Sequence, residues 1–260
     1  MNKIIISLFL VVFSICKSQI HRFYYELNYK PSTKSPELKK DIFYLDTKDN
    51  TSVFVRKEKV ESDSLFLVNP ELTQSITPYG TMNFRILKDI KNKSVSFKDD
   101  LFIGILAYKE NVEFPWKISQ EKGSFEQYQT QKAEVNYGGR TWVAWFVPDI
   151  PQWDGPYVFM GLPGLIVDIK DSADEYHWKL LGSKKIPNAD LSLKGSMDGE
   201  QQVSKEAYLK NKKMIMQDPM PIFMQAMMNI DKDSKVMMKM RQQADDYKKY
   251  FQKNDNSIEK

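Results

Sequence analysis

Two histidines, a single cysteine and a few clustered carboxylates are the material with which this 260-residue chain could do acid–base, thiol or metal chemistry. His177 has Asp168, Asp171, Asp174 and Glu175 as sequence neighbours, with Asp149 and Asp154 upstream. A histidine bonded to a carboxylate can move protons, provided both meet inside a cleft. A solvated histidine on a strand is the plainer expectation. His21 lies far away in sequence, so a histidine zinc site would require the two to converge. Cys16 falls in the N-terminal segment expected to be removed, which excludes thiol chemistry in the mature chain. No HExxH, GxSxG or glycine-rich phosphate loop occurs. No catalytic residue and no cofactor is therefore assigned, although nothing here selects or excludes a carboxylate pair for glycoside cleavage.

Binding chemistry has better material. Arg140, Trp142, Trp145, Trp153 and Tyr157 crowd one stretch, and three of the five tryptophans fall there. An apolar pocket with one placed cation is a common binding arrangement, and a guanidinium suits a carboxylate or phosphate. The competing reading makes the rings sheet core and Arg140 a salt-bridging or ring-stacking side chain. A second oddity is sulfur. Nine of the thirteen methionines lie between Met214 and Met240. Helical spacing sets Met224, Met227 and Met228 on one face, with Met237 and Met240 further along. Thioethers can hold Cu(I), but flexible methionines also fill irregular gaps or make adaptable partner surfaces.

The elements that must position these residues centre on 138–170. Gly138-Gly139 signals a turn, and Thr141–Val147 is a β-branched and aromatic run with Trp142, Ala144 and Phe146 on one side. Pro148, Pro151 and Pro156 stiffen the next segment, which reads as a strand between two turns. Leu162-Pro163-Gly164-Leu165 has proline and glycine where a type II turn wants them. Leu165–Lys170 then alternates as a strand and pairs with 175–181. Upstream, strands are expected over 22–29, 41–45, 52–60, 83–87, 95–98, 102–108, 114–119 and 125–137. Such spacing predicts an α+β, mainly β fold: a large curved antiparallel sheet or partly closed barrel. From residue 201 the chain reads helical, with Ser204 as N-cap and a last helix from about 233 or 234 carrying Val236, Met240, Ala244, Tyr247 and Phe251 on one stripe. The closing NDNSIEK is expected to fray.

The stretch Gly161-Leu162-Pro163-Gly164-Leu165-Ile166, with Gly139-Arg140-x-Trp142-x-Ala144-Trp145-Phe146 and Ile150-Pro151-x-x-x-Gly155-Pro156 before it, resembles the GLPGLI family of Gram-negative envelope proteins. The chain departs from that pattern at Gln127-Tyr128-Gln129-Thr130, where members often carry a Gly-Tyr-x-Cys-like stretch. The resemblance implies an envelope location and a β-rich fold, and it implies no mechanism.

Composition agrees with a folded exported protein. Charged residues make up 28% and hydrophobic ones 42%, an ordinary globular balance. Once Lys3 and Lys17 are set aside, the net charge falls from +4 to about +2, too small to point to nucleic acid. Lys3 followed by the apolar run Ile4–Ile15 reads as a signal peptide cleaved after Ser18, shorter than the roughly 20 residues a spanning helix needs. Lipidation at Cys16 is the alternative. The expected organisation is a signal peptide over 1–18, a β-rich domain over 19–200 and a helical region over 201–260. The expected protein is exported and periplasmic, with secretion or outer-membrane association as alternatives. It binds a small apolar ligand between sheet and helices, or else serves as an assembly partner of an outer-membrane complex.

Overall fold

The computed structural model describes residues 19–68, 82–101, 104–187, 191, 199–221, 224 and 234–259. The expected signal peptide, Cys16, Met227 and Met228 lie outside the described residues.

Twelve strands form one sheet: β1 (Gln19–Tyr29), β2 (Lys39–Lys48), β3 (Thr51–Arg56), β4 (Phe84–Asp89), β5 (Ser94–Asp100), β6 (Ile105–Asn111), β7 (Lys117–Phe125), β8 (Tyr128–Tyr137), β9 (Arg140–Val147), β10 (Leu165–Asp171), β11 (Tyr176–Pro187) and β12 (Gln201–Gln202). Their spatial order is β12-β6-β5-β4-β3-β2-β1-β11-β10-β9-β8-β7. Two meanders, β1 to β6 and β7 to β11, are thus sewn together along β1 and β11, from Gln19↔Pro187 to Tyr29↔Tyr176. Every pairing is antiparallel except the short β12–β6 ladder. The sheet curves until its two halves face each other: the Phe114 and Tyr137 rings lie 5.3 Å apart, and the Tyr137 hydroxyl is 3.4 Å from the Glu110 carboxylate. No ladder joins β7 to β12, so it does not close into a barrel.

Alternation decides which side chains enter the core. Phe23, Tyr25, Leu27 and Tyr29 of β1 point in, as do Phe84 and Ile86 of β4, Val95 and Phe97 of β5, and Trp142, Ala144 and Phe146 of β9. They form one continuous apolar cluster between the two halves. Three helices complete the described fold: α1 (Lys57–Val68), α2 (Lys205–Gln217) and α3 (Ser234–Lys253). In α2 the Ser204 side chain accepts from the Ala207 N–H, and Tyr208 and Ile215 are buried. Ala244 and Phe251 of the α3 stripe are buried.

Three local expectations need correction. The strand expected over 52–60 ends at Arg56, and α1 takes its place because the charges recur at i,i+4: Lys57–Glu61, and Lys59–Asp63 at 2.6 Å with Arg85 on the same carboxylate at 2.9 Å. Residues 148–164 form no strand, only a bridge between Asp154 and Met160. Around Pro163 the Gly164 N–H donates to the Leu162 carbonyl at 2.8 Å, a three-residue turn rather than type II. Gly164 sits at φ +154° with its backbone against the Val147 carbonyl, so glycine is required there by close approach rather than by the type II φ.

Candidate functional site

The loop 148–164 is held from inside by a charged pair. Lys88, on the inward face of β4 two residues beyond Ile86, crosses the core to Asp154; its Nζ lies 2.5 Å from Oδ1, and both side chains are completely buried. The ammonium also donates to the Gly155 carbonyl, and Asp154 Oδ1 accepts from the Gly155 N–H at 2.8 Å. Burial pushes the Lys88 pKa down, and Asp154 offsets part of that fall. The backbone adds further ties: Gly161 N–H to Trp153 carbonyl, Leu165 N–H to Ile150 carbonyl, and Ile166 N–H to Asp154 carbonyl. The result is a rigid loop lying over the core with Trp153 on its outer edge.

That edge walls an open groove of about 730 Å³. It lies where three connections meet the loop: Asp49-Asn50 between β2 and β3, Ile90–Lys93 between β4 and β5, and Val112–Phe114 after β6. Trp153, 57% exposed, stands with Met160, Phe114 and Ile90 as its apolar wall, while Lys91, Gln152 and the Lys93–Glu113 ion pair supply polarity.

The residues singled out in the sequence do not make one site. Trp153 lines this groove. Trp142 is core, its indole N–H donating to the Tyr137 carbonyl at 3.0 Å. Trp145, on the opposite face of β9, borders a separate hollow of about 280 Å³ with Thr130, Asp168 and Lys179. Gly161 lines the groove, whereas Leu162, Leu165 and Ile166 are buried beneath it, and the Pro163-Gly164 turn leads the chain into β10. His177 Nε2 lies 2.9 Å from Asp168 Oδ2, but on the half-exposed outer face of β11 and away from the groove. Met224 is exposed and Met237 half-buried, and Met227 and Met228 lie outside the described residues. Among the described residues no group of three or more His, Cys, Asp or Glu side chains converges to hold a metal. Among them, too, no helix is long and apolar enough to cross a membrane.

Arg140 and Tyr157 belong to a second cleft, between the sheet and α2, and that cleft is filled. Residues 254–259 run through it, with Asn256, Ile258 and Glu259 buried, contrary to the fraying expected. Arg140 is aimed by Asp171 and Glu175, each 2.6 Å from Nη1, and lies over the Tyr176 ring. Its other N–H groups reach Asn256, Ser257 and Ile258. A residual void of only about 20 Å³ is left beside Ile258 and Glu259. The expected pocket between sheet and helices is therefore occupied by the chain itself, and the open groove lies elsewhere. Two of the residues that matter most, Lys88 and Glu259, were not singled out in the sequence. For Lys88 the period-two pattern Phe84, Ile86, Lys88 was the available signal.

Comparison with known proteins gives a family match and a fold but no activity. A family model described as "Protein of unknown function (Porph_ging)" matches residues 107–168, the segment that carries most of the signature. No curated protein matches the chain. Among solved structures the chain is similar to PNGF-II in its C2 crystal form, at TM-score 0.52 and 16% identity over 75% of this chain and 32% of that one. The P21 form of PNGF-II gives TM-score 0.52 and 15% identity, over 75% and 33%. The chain thus spans about a third of the length of these neighbours, and likeness at this identity speaks for the fold alone.

Proposed function

We propose that this chain is an exported, non-enzymatic binding module that holds a small, largely apolar ligand in the groove beside Trp153. The observation that carries the reading is the groove itself. At about 730 Å³ it falls within the roughly 300–1,000 Å³ of small-molecule sites, and it combines an exposed indole with a few polar groups on a loop pinned by a buried ion pair. A rigid wall of this kind lowers the entropic cost of capture. Export, with the periplasm as destination, rests on the Lys3 and Ile4–Ile15 pattern and on the resemblance of the 161–166 signature. The non-enzymatic part rests on the separation of the His177–Asp168 pair from the groove.

The test is native mass spectrometry of the protein purified from its own envelope fraction, beside Trp153→Ala. A co-purifying mass of a few hundred daltons, lost on mild unfolding and absent from the variant, is the expected result. A clean mass for the wild-type protein under conditions that preserve its fold would remove the ligand reading and hand the groove to a protein partner.

A further inference from the structure

The filled cleft between the sheet and α2 has the construction of a receptor site rather than of ordinary core. Residues 254–259 run through it as an irregular strip with a bend at Ile258, held by both its backbone and its side chains. The Asn256 N–H donates to the Pro31 carbonyl at 3.0 Å, and the Tyr176 hydroxyl donates to the Asn256 carbonyl at 2.8 Å. Arg140 donates to the carbonyls of Ser257 at 2.7 Å and Ile258 at 2.9 Å. Side-chain sockets come next, in order. The Asn256 amide bridges Arg140 and the Lys30 carbonyl. Ile258 enters the apolar cluster. The Glu259 carboxylate accepts from the Tyr157 hydroxyl at 2.6 Å and the Tyr137 hydroxyl at 3.2 Å, with Lys205 Nζ 3.0 Å from its other oxygen. Backbone contacts for affinity and side-chain pockets for specificity are how proteins read peptide segments.

The cleft's own charges do not depend on this occupant. Arg140 keeps Asp171 and Glu175, and Lys205 keeps Glu110 at 2.9 Å and the Tyr137 hydroxyl at 2.7 Å. When the strip leaves, its polar groups return to water and no buried cation is stranded. Gly138 supports the same view, because a Cβ there would meet the Glu259 side chain; the turn between β8 and β9 is cut back to admit the carboxylate.

We propose that this cleft is a peptide-binding site for a non-helical segment carrying an asparagine, then an apolar residue followed directly by a carboxylate, and that residues 254–259 occupy it in cis. The partner it fits is a protein presenting such a strip, which competes with the chain's own segment. The site is independent of the Trp153 groove, and neither reading requires the other.

The experiment uses the full chain with its own strip weakened, Asn256→Ala with Glu259→Ala, and a fluorescein-labelled peptide of residues 254–259 read by anisotropy. The variant should bind the peptide at least tenfold more tightly than the wild-type protein does, and Glu259→Gln in the peptide should weaken that binding about tenfold. A variant with unchanged circular dichroism that binds no better than wild type would overturn the proposal, as would equal binding of a scrambled peptide. Should the variant fail to fold, hydrogen exchange on the wild-type protein decides. The amides of Asn256 and Ile258 should exchange at least tenfold faster than those of β9 and β11. Exchange of all of them only through global unfolding overturns the proposal.

Discussion

Lys88 and Asp154 show how a single pair can set the shape of a surface site it never touches. Both side chains are fully buried, so neither charge tolerates losing the other. Removing one partner of a buried pair costs about 3–5 kcal/mol, whereas replacing both with apolar groups is often close to neutral. Asp154→Ala should therefore lower the unfolding free energy by about that much in urea titrations followed by tryptophan fluorescence. Lys88→Met with Asp154→Leu should recover most of the loss, less what is left by the Gly155 carbonyl now without its donor. Losses in Lys88→Met and Asp154→Leu alone that simply add in the double would show that the pair does not act as a unit. Half of this arrangement was legible in the sequence. Alternation puts Lys88 on the same face as Phe84 and Ile86, and Arg140 on the same face as Trp142. What alternation cannot supply is the partner, because Asp154 approaches from a loop distant in sequence and from the other half of the sheet. The usual outward placement of lysine hides the rest.

Elements were legible wherever one face is apolar and the other polar, which covers the meanders and the α2 cap. They became illegible where a local rule met a tertiary constraint. The Pro163-Gly164 pair obeys the type II turn rule, yet the chain turns one residue tighter because the end of β9 crowds Gly164. Gly164→Ala should accordingly cost more than a turn substitution would, at least about 1–3 kcal/mol for the strained φ and a further loss from displacing Val147. A melting temperature within a degree of wild type would mean that the loop can move aside, contrary to its hydrogen bonding. Ser204→Ala is the contrasting case. Its side chain caps the Ala207 N–H at an exposed helix start, so the expected loss is about 1 kcal/mol and the loop near Trp153 should not respond. A loss several times larger would show that Ser204 holds more than the start of the helix. Helix α1 is hidden for a related reason: the alternation of Val53 and Val55 in β3 just before it carries the strand pattern into residues whose i,i+4 charge spacing is the true signal.

At the scale of the whole molecule, the sequence could suggest a large open sheet but not that β1 and β11 would join its halves, nor that a polar strip near residue 256 would be drawn into the cleft. The same closure buries several phenols. Tyr25, Tyr157 and Tyr208 are almost wholly inaccessible, and burial first, then Asp154, Glu259 or Asp99 nearby, pushes their pKa values well above the ordinary tyrosine value. Below about pH 10 these groups are protonated in folded and unfolded chains alike and add no pH dependence. Above it the unfolded chain loses protons that the native chain keeps, so stability falls by up to about 1.4 kcal/mol per pH unit for each such tyrosine. Lys88 acts in the opposite sense. Its lowered pKa means that the native chain sheds a proton first, so stability rises with pH until the unfolded lysine titrates near about 10.4. The two effects together predict a urea midpoint that holds or rises slightly toward pH 10 and then collapses steeply. In an absorbance titration at 295 nm Tyr25, Tyr157 and Tyr208 should ionise only in a step coincident with loss of near-ultraviolet circular dichroism. If all thirteen tyrosines ionised in one smooth wave while the dichroism persisted, the two halves of the sheet could not be closed over these rings.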